Sequence, residues 1–170
     1  MVIVVMGVSG SGKTTIGELL AEALGAEFAE GDAYHPPENI EKMRRGIPLE
    51  DVDRWPWLEI LSAKIERWLA AGRTVILACS ALKQRYRDVL AQGRPGVRFV
   101  HLEGDKALIR LRLDRRQGHY MPAILLDSQF ATLEPAADAI TVDVTGTPEA
   151  ITATIIRMLG LTGSSPAAPA

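Results

Sequence analysis

The chain predicts an α/β fold, a parallel five-stranded sheet with helices on both faces. Three features point there. Strand-like and helical stretches alternate from end to end. The strand-like ones are short and two of them (Val2 to Met6 and Thr74 to Ala78) read as buried apolar runs, and the long helical ones carry an apolar stripe. Continuous apolar runs suit strands buried on both faces, and strand–helix alternation is the signature of a parallel sheet with covering helices.

Val2-Ile3-Val4-Val5-Met6 opens the chain as a fully buried strand. Lys13 to Leu24 follows as a helix, with Ile16, Leu19, Leu20, Ala23 and Leu24 on one face. Glu27 to Glu30 reads as a short second strand ending at Gly31-Asp32. A polar segment with His35-Pro36-Pro37 leads to a short helix from about Glu38 to Arg45. Leu58 to Leu69 is a long helix with Leu58, Leu61, Ile65 and Trp68 near one stripe, and Gly72 stands where its C-cap is expected. Thr74 to Ala78 is the third strand, Lys83 to Gln92 a helix, and Val97 to Leu102 the fourth strand. Asp105 starts a helix to about Arg116, Ile140 to Asp143 is the last strand, and Pro148 opens the closing helix to Leu159.

At 170 residues the chain suits one domain, expected over 1–162, with a small mobile lid at about 116–133. The tail, 163–170, is rich in small residues and proline and is expected to be disordered. Hydrophobic content of 47%, charged content of 24% and a net charge of −2 give no pull toward nucleic acid or an anionic membrane. Cys79 is the single cysteine, so no intrachain disulfide forms. No signal peptide or membrane span is expected, which makes the cytoplasm the default location. His35, His101, His119 and Cys79 lack zinc-site spacing.

Gly7-Val8-Ser9-Gly10-Ser11-Gly12-Lys13-Thr14 fits the pattern of Gly, four residues, then Gly-Lys-Ser/Thr, the phosphate-binding P-loop. The strand before it and the helix after it are the context that makes the motif diagnostic. Its glycines let the backbone approach a ligand closely. Loop N–H groups and the helix N-terminus then direct partial positive charge at phosphate oxygens. Lys13 is placed to reach the β- and γ-phosphates of a nucleotide triphosphate, and the Thr14 hydroxyl to hold Mg²⁺.

In parallel sheets of this kind, ligands sit beyond the carboxyl ends of the strands. Residues 7–14, 30–35 and 79–83 therefore converge on one cleft. Asp32 is placed to accept the proton of a substrate hydroxyl, or to hold Mg²⁺ through water, or to cap a turn. Arg112 and Arg116 lie four apart on one helix face, just before Gly118-His119-Tyr120, as the arginines of a phosphate-covering lid would. Lys106, Arg110 and Arg115 read as a solvated face. Trp55 and Trp57 read as wall and scaffold, Cys79 as a small buried residue, and His101 as structural. His35 is either a substrate contact or a fold-stabilising hydrogen-bonding group.

Together these residues resemble the gluconokinase family of P-loop small-molecule kinases, from Val2 to about Leu159. The resemblance runs through Gly7 to Thr15, Gly31-Asp32-Ala33-Tyr34-His35-Pro36, Asn39 to Met43, and Gly46-Ile47-Pro48-Leu49. It continues through Asp51, Asp53, Arg54 and Pro56-Trp57-Leu58, then Cys79-Ser80-Ala81-Leu82-Lys83 with Tyr86-Arg87-Asp88. Arg112, Arg116 and Gly118-His119-Tyr120 follow, and Ser128-Gln129-Phe130 with Thr132-Leu133-Glu134 closes it.

That resemblance implies a P-loop kinase fold, ATP-dependent phosphorylation of D-gluconate at its terminal hydroxyl, and a homodimer. It adds Thr15 to the ATP site and His119 and Gln129 to the substrate site. By similarity to shikimate kinases, it sets Asp32 against the accepting hydroxyl and Glu30 near Mg²⁺, although a shorter aspartate is the better direct holder of metal water. Charge accounting gives the gluconate carboxylate to Arg54 first and Arg87 second, with Lys83 assisting. Lys13, Mg²⁺ and the lid arginines, Arg116 above all, would stabilise the transferring phosphoryl group. A kinase of another hydroxy acid such as shikimate, and a non-catalytic ATP-binding module, are the rival readings. A GTPase is disfavoured, because the only asparagine, Asn39, is followed by Ile40 and forms no Asn-Lys-x-Asp base-reading motif.

Overall fold

The computed structural model describes residues 1–115 and 123–162. Five strands alternate with helices: β1 (Val2–Met6), α1 (Lys13–Leu24), β2 (Glu27–Glu30), α2 (Pro37–Arg44) and α3 (Asp51–Ala70). They continue as β3 (Val75–Ala78), α4 (Gln84–Ala91), β4 (Val97–Glu103), α5 (Lys106–Arg115), α6 (Ala123–Thr132), β5 (Ala139–Asp143) and α7 (Pro148–Met158). A short 3₁₀ turn, Gly31–Tyr34, follows β2.

All strand pairs are parallel, in the order β2-β3-β1-β4-β5. From β1 the chain crosses toward β2, whereas from β3 it crosses the other way, to β4. The two connections leave adjacent strands in opposite directions, so a crevice opens between the carboxyl ends of β1 and β3. The P-loop and the segment 79–83 are its two lips.

Pleating splits β1 between two cores. Ile3 and Val5 pack with Ile16 and Leu20 of α1 and Ile151 and Ile155 of α7. Val2, Val4 and Met6 pack with Leu58, Leu61 and Ile65 of α3 and Tyr86 and Leu90 of α4. All five β1 residues are fully buried, as their unbroken apolar run requires.

Two elements differ from expectation. Helix α3 begins at Asp51, not Leu58. Asp51 and Asp53 place negative charge in its first turn, and the Glu50 N–H donates to the Asp53 carboxylate over 3.0 Å. Pro56 sits in the second turn, where the carbonyl it leaves unpaired belongs to Val52, a residue 69% exposed. Helix α6 was expected only as part of a lid, and the tail 163–170 lies outside the described residues.

Candidate active site

The P-loop owes its shape to residues without side chains. Gly10 takes φ +82, and a Cβ there would lie 2.7 Å from Leu113 Cγ of α5. Gly12 caps α1 with no side chain to offer, and no acidic residue stands in the first turn. The amides of that turn therefore keep their partial positive charge for an external anion. Lys13 Nζ donates to Val8 O over 3.0 Å, which folds its side chain back across the loop. Thr14 Oγ1 donates to Glu30 Oε2 over 2.7 Å, joining the end of β2 to the first turn of α1.

Two cavities flank this loop. One, of about 250 Å³, is lined by Gly10, Ser11, Gly12, Thr15 and Arg112 on one side and by Gly146 and Pro148 on the other. Arg112 is held there by donating to the Val144 carbonyl. The second cavity, of about 150 Å³, is lined by Ser9, Lys13, Asp32, His35, Arg54 and Gln129. Lys13 reaches the second while its own loop walls the first.

The floor of the second cavity is built by close backbone approach. A Cβ on Gly31 would come within 2.4 Å of Ala78 O, so only glycine lets the end of β2 meet β3 here. The buried Trp57 indole donates to Gly31 O over 2.8 Å, and its ring stacks on His35 with centroids 4.1 Å apart. Burial depresses the His35 pKa to about 4, against the opposing charge of Asp32 and with that of Arg54, so its ring is neutral. The Asp32 side chain stays 62% exposed to the cavity, with Oδ1 3.7 Å from His35 Nε2.

Arg54 enters the same cavity from α3. Its Nε donates weakly to Leu49 O at 3.4 Å and its guanidinium stands 5.8 Å from the Tyr86 ring centroid. From the far side α6 supplies Gln129, whose Oε1 accepts from the Ser9 N–H over 2.6 Å. A carboxylate, an arginine and the P-loop lysine thus surround a space large enough for a small polar molecule.

Comparison with known proteins bears on that arrangement. The family model described as "AAA domain" matches residues 2–136. The thermosensitive gluconokinase of Escherichia coli is 51% identical over 136 residues, which cover 79% of this chain and 73% of that protein. A gluconokinase structure from Sinorhizobium meliloti is 47% identical, with TM-score 0.79 over 93% of this chain and 94% of that one. The chain belongs to the gluconokinase family. Shikimate kinase from Aquifex aeolicus, 20% identical with TM-score 0.60 over 94% of this chain and 96% of that one, shares the fold.

For this gluconokinase-family chain, the structure brings together most of the residues singled out from sequence. Gly10, Ser11, Gly12, Thr15 and Arg112 line one cavity, and Ser9, Lys13, Asp32, His35, Arg54 and Gln129 the other. Two of the expected substrate contacts lie elsewhere. Arg87 is completely buried, with its guanidinium donating to Asp138, Gln84 and the carbonyls of Ala81 and Pro135. Such a fork is committed to the scaffold, and its reading as second choice for a carboxylate is corrected. Lys83 is held by Asp51 at 2.9 Å, together with Arg85 and the Tyr86 hydroxyl, and does not line the cavity. Arg116 and His119 lie outside the described residues.

Sequence reasoning gives no site role to Asn39 or Asp51, which it marks only as motif residues, or to the loop before α7. Asn39 is 4% exposed and donates to Asp53 O over 2.7 Å, and an asparagine in a polar helix gives no sign of burial. Asp51 gathers three partners from α4 and the turn before it, a contact no local pattern shows. Gly146 and Pro148 read as an ordinary turn and helix start, yet they wall the first cavity.

Proposed function

We propose that this protein transfers the terminal phosphate of ATP to the terminal hydroxyl of D-gluconate, giving 6-phospho-D-gluconate and ADP. The observation that carries the reading is the second cavity, where Lys13 of the P-loop, Asp32 and Arg54 line one small space. Kinship with gluconokinases chooses the acceptor from among small hydroxylated acids.

The phosphates of ATP lie on residues 7–15, with the rest of the nucleotide in the cavity that Arg112 borders. Arg54 receives the gluconate carboxylate, because a guanidinium fork matches a carboxylate in both shape and charge. His35 and Gln129 complete the walls. The hydroxyl oxygen attacks the γ-phosphorus as its bond to the β–γ bridging oxygen breaks. The hydroxyl proton passes to Asp32 and from there to solvent. Lys13 stabilises the charge that moves onto the phosphate oxygens, joined by Arg116 from the lid.

Mg²⁺ fits this reading. Thr14 and Glu30 present two hard oxygens 2.7 Å apart beside the phosphate loop, and these residues would hold the ion, Glu30 directly or through water. When bound, it would neutralise charge on the β- and γ-phosphates.

A kinase domain over 1–162, a lid near 116–133, a homodimer and a cytoplasmic location complete the proposal. Family resemblance supports the dimer, and the need for ATP supports the location. No helix among the described residues is long and apolar enough to cross a membrane. The test is a panel of acceptors (gluconate, related sugar acids, shikimate, nucleosides) with ADP release as readout and product identification. Gluconate-dependent release with 6-phosphogluconate as product supports the reading, and turnover only with another acceptor overturns it.

A further inference from the structure

Asn39 Nδ2 lies 2.7 Å from the backbone carbonyl oxygen of Asp53 and 3.2 Å from His35 Nδ1. A carbonyl oxygen only accepts, so the Asn39 atom facing it is the amide nitrogen, which carries two protons. One proton goes to Asp53 O. The other points at His35 Nδ1, which must then present its lone pair. The ring is neutral, so its single N–H sits on Nε2, the atom that faces Asp32 Oδ1 at 3.7 Å.

We propose that Asn39 and His35 are positioning residues for Asp32: Asn39 fixes the imidazole tautomer so that the His35 Nε2–H steers the carboxylate toward the acceptor hydroxyl. This deepens the kinase reading above and rests on it for the identity of the acceptor.

The surroundings fit a fixed part. His35 is 7% exposed and Asn39 4%, and the imidazole is held flat on Trp57 with an interplanar angle of 16°. Three elements therefore set the ring: α2 through Asn39, α3 through Trp57 and Asp53, and the turn after β2 through the chain itself. Asp32 is the contrast, with a side chain 62% exposed and free to turn among its rotamers unless something directs it. A separation of 3.7 Å leaves room for the contact to shorten when substrate fills the cavity, as hydrogen bonds at such sites commonly do.

The experiment pairs spectroscopy with kinetics on the full chain. Imidazole ¹⁵N shifts of His35 distinguish an Nδ1 lone pair from an Nδ1–H. The wild type is expected to show the lone pair on Nδ1, and Asn39→Ala a mixture of tautomers. In kinetics, His35→Phe keeps the ring stack on Trp57 but loses the donor, whereas His35→Gln loses the stack and keeps an N–H. The proposal expects kcat with gluconate to fall about 10- to 100-fold in His35→Phe, with His35→Gln retaining more of it. ATP affinity, unchanged in both, reports an intact fold. An Nδ1–H signal in the wild type, or a His35→Phe variant at least as active as His35→Gln, overturns the proposal. If the wild type released no ADP with gluconate, the acceptor assignment would fall while the ¹⁵N result still judged the tautomer.

Discussion

Thr14 Oγ1 and Glu30 Oε2 meet at 2.7 Å, so the first turn of α1 and the last residue of β2 form a two-oxygen clamp beside the phosphate loop. Removing the charge of one arm should weaken divalent-ion binding and leave the fold alone. Glu30→Gln is expected to raise the Mg²⁺ concentration for half-maximal activity about 10-fold or more, an effect typical of altered metal shells. A Mg²⁺ titration at saturating ATP and gluconate measures it. An unchanged midpoint would remove Glu30 from the metal site.

Lys13 lines the second cavity from the phosphate loop, where its charge is proposed to stabilise the phosphate oxygens during transfer. Lys13→Ala should lower kcat by about 10²- to 10³-fold, the cost of losing one preorganised charge-stabilising donor. The melting temperature should stay close to that of the parent. Initial rates at saturating substrates give the answer, and near-normal kcat would contradict the phosphate role.

Arg54 and Arg87 separate cleanly in what their loss should do. Arg54→Ala is expected to raise the gluconate KM about 10- to 100-fold, the worth of a charge-assisted hydrogen bond, with the ATP KM unaltered. If gluconate kinetics did not change, the carboxylate would have another partner. Arg87→Met should instead cost about 3 kcal/mol of stability, chiefly by leaving the Ala81 and Pro135 carbonyls without their donor. In a chain of this size that is about 10 °C in Tm, readable by calorimetry. Arg87→Lys should recover little, since one ammonium cannot replace a fork that meets four partners.

That pair shows where the sequence stops informing. The sheet was legible because β1 and β3 are short apolar runs and the long helices carry stripes, patterns that follow from burial. The phosphate loop was legible because its chemistry dictates both spacing and residue type. Arg54 and Arg87, by contrast, each stand next to an aspartate near a helix start, Arg54 after Asp53 and Arg87 before Asp88. What separates them is Asp138 and Pro135, residues far along the chain that enclose one guanidinium and leave the other open to the cavity. His35 was open between two roles for the same reason, since its stack on Trp57 and its bond to Asn39 come from tertiary packing. Residues 146–148 carried no signal, because a wall made partly of backbone leaves no motif.

Acid should destabilise the protein through His35. Its folded pKa of about 4 lies below the unfolded value of 6.5, so between those limits the unfolded chain binds more protons than the folded one. Stability is therefore complete above pH 6.5 and falls as the pH drops toward 4. His101, also lowered by burial, adds a slope of the same sign. Melting temperatures across pH 4 to 8 should show the decline, and His35→Phe should flatten part of it. The same slope in both proteins would mean that His35 is accessible to protons when folded.

Ser80 and Leu82 line the second cavity, and the neighbouring Cys79 side chain is fully buried. Burial, aided by the charge of Asp32, pushes the Cys79 thiol up to about 12, which leaves it without thiolate character at neutral pH. Cys79 is therefore unfit to carry the phosphoryl group between visits of two substrates. Direct transfer from ATP to the acceptor, as proposed above, needs both in their compartments together, and double-reciprocal plots at varied co-substrate should intersect instead of running parallel.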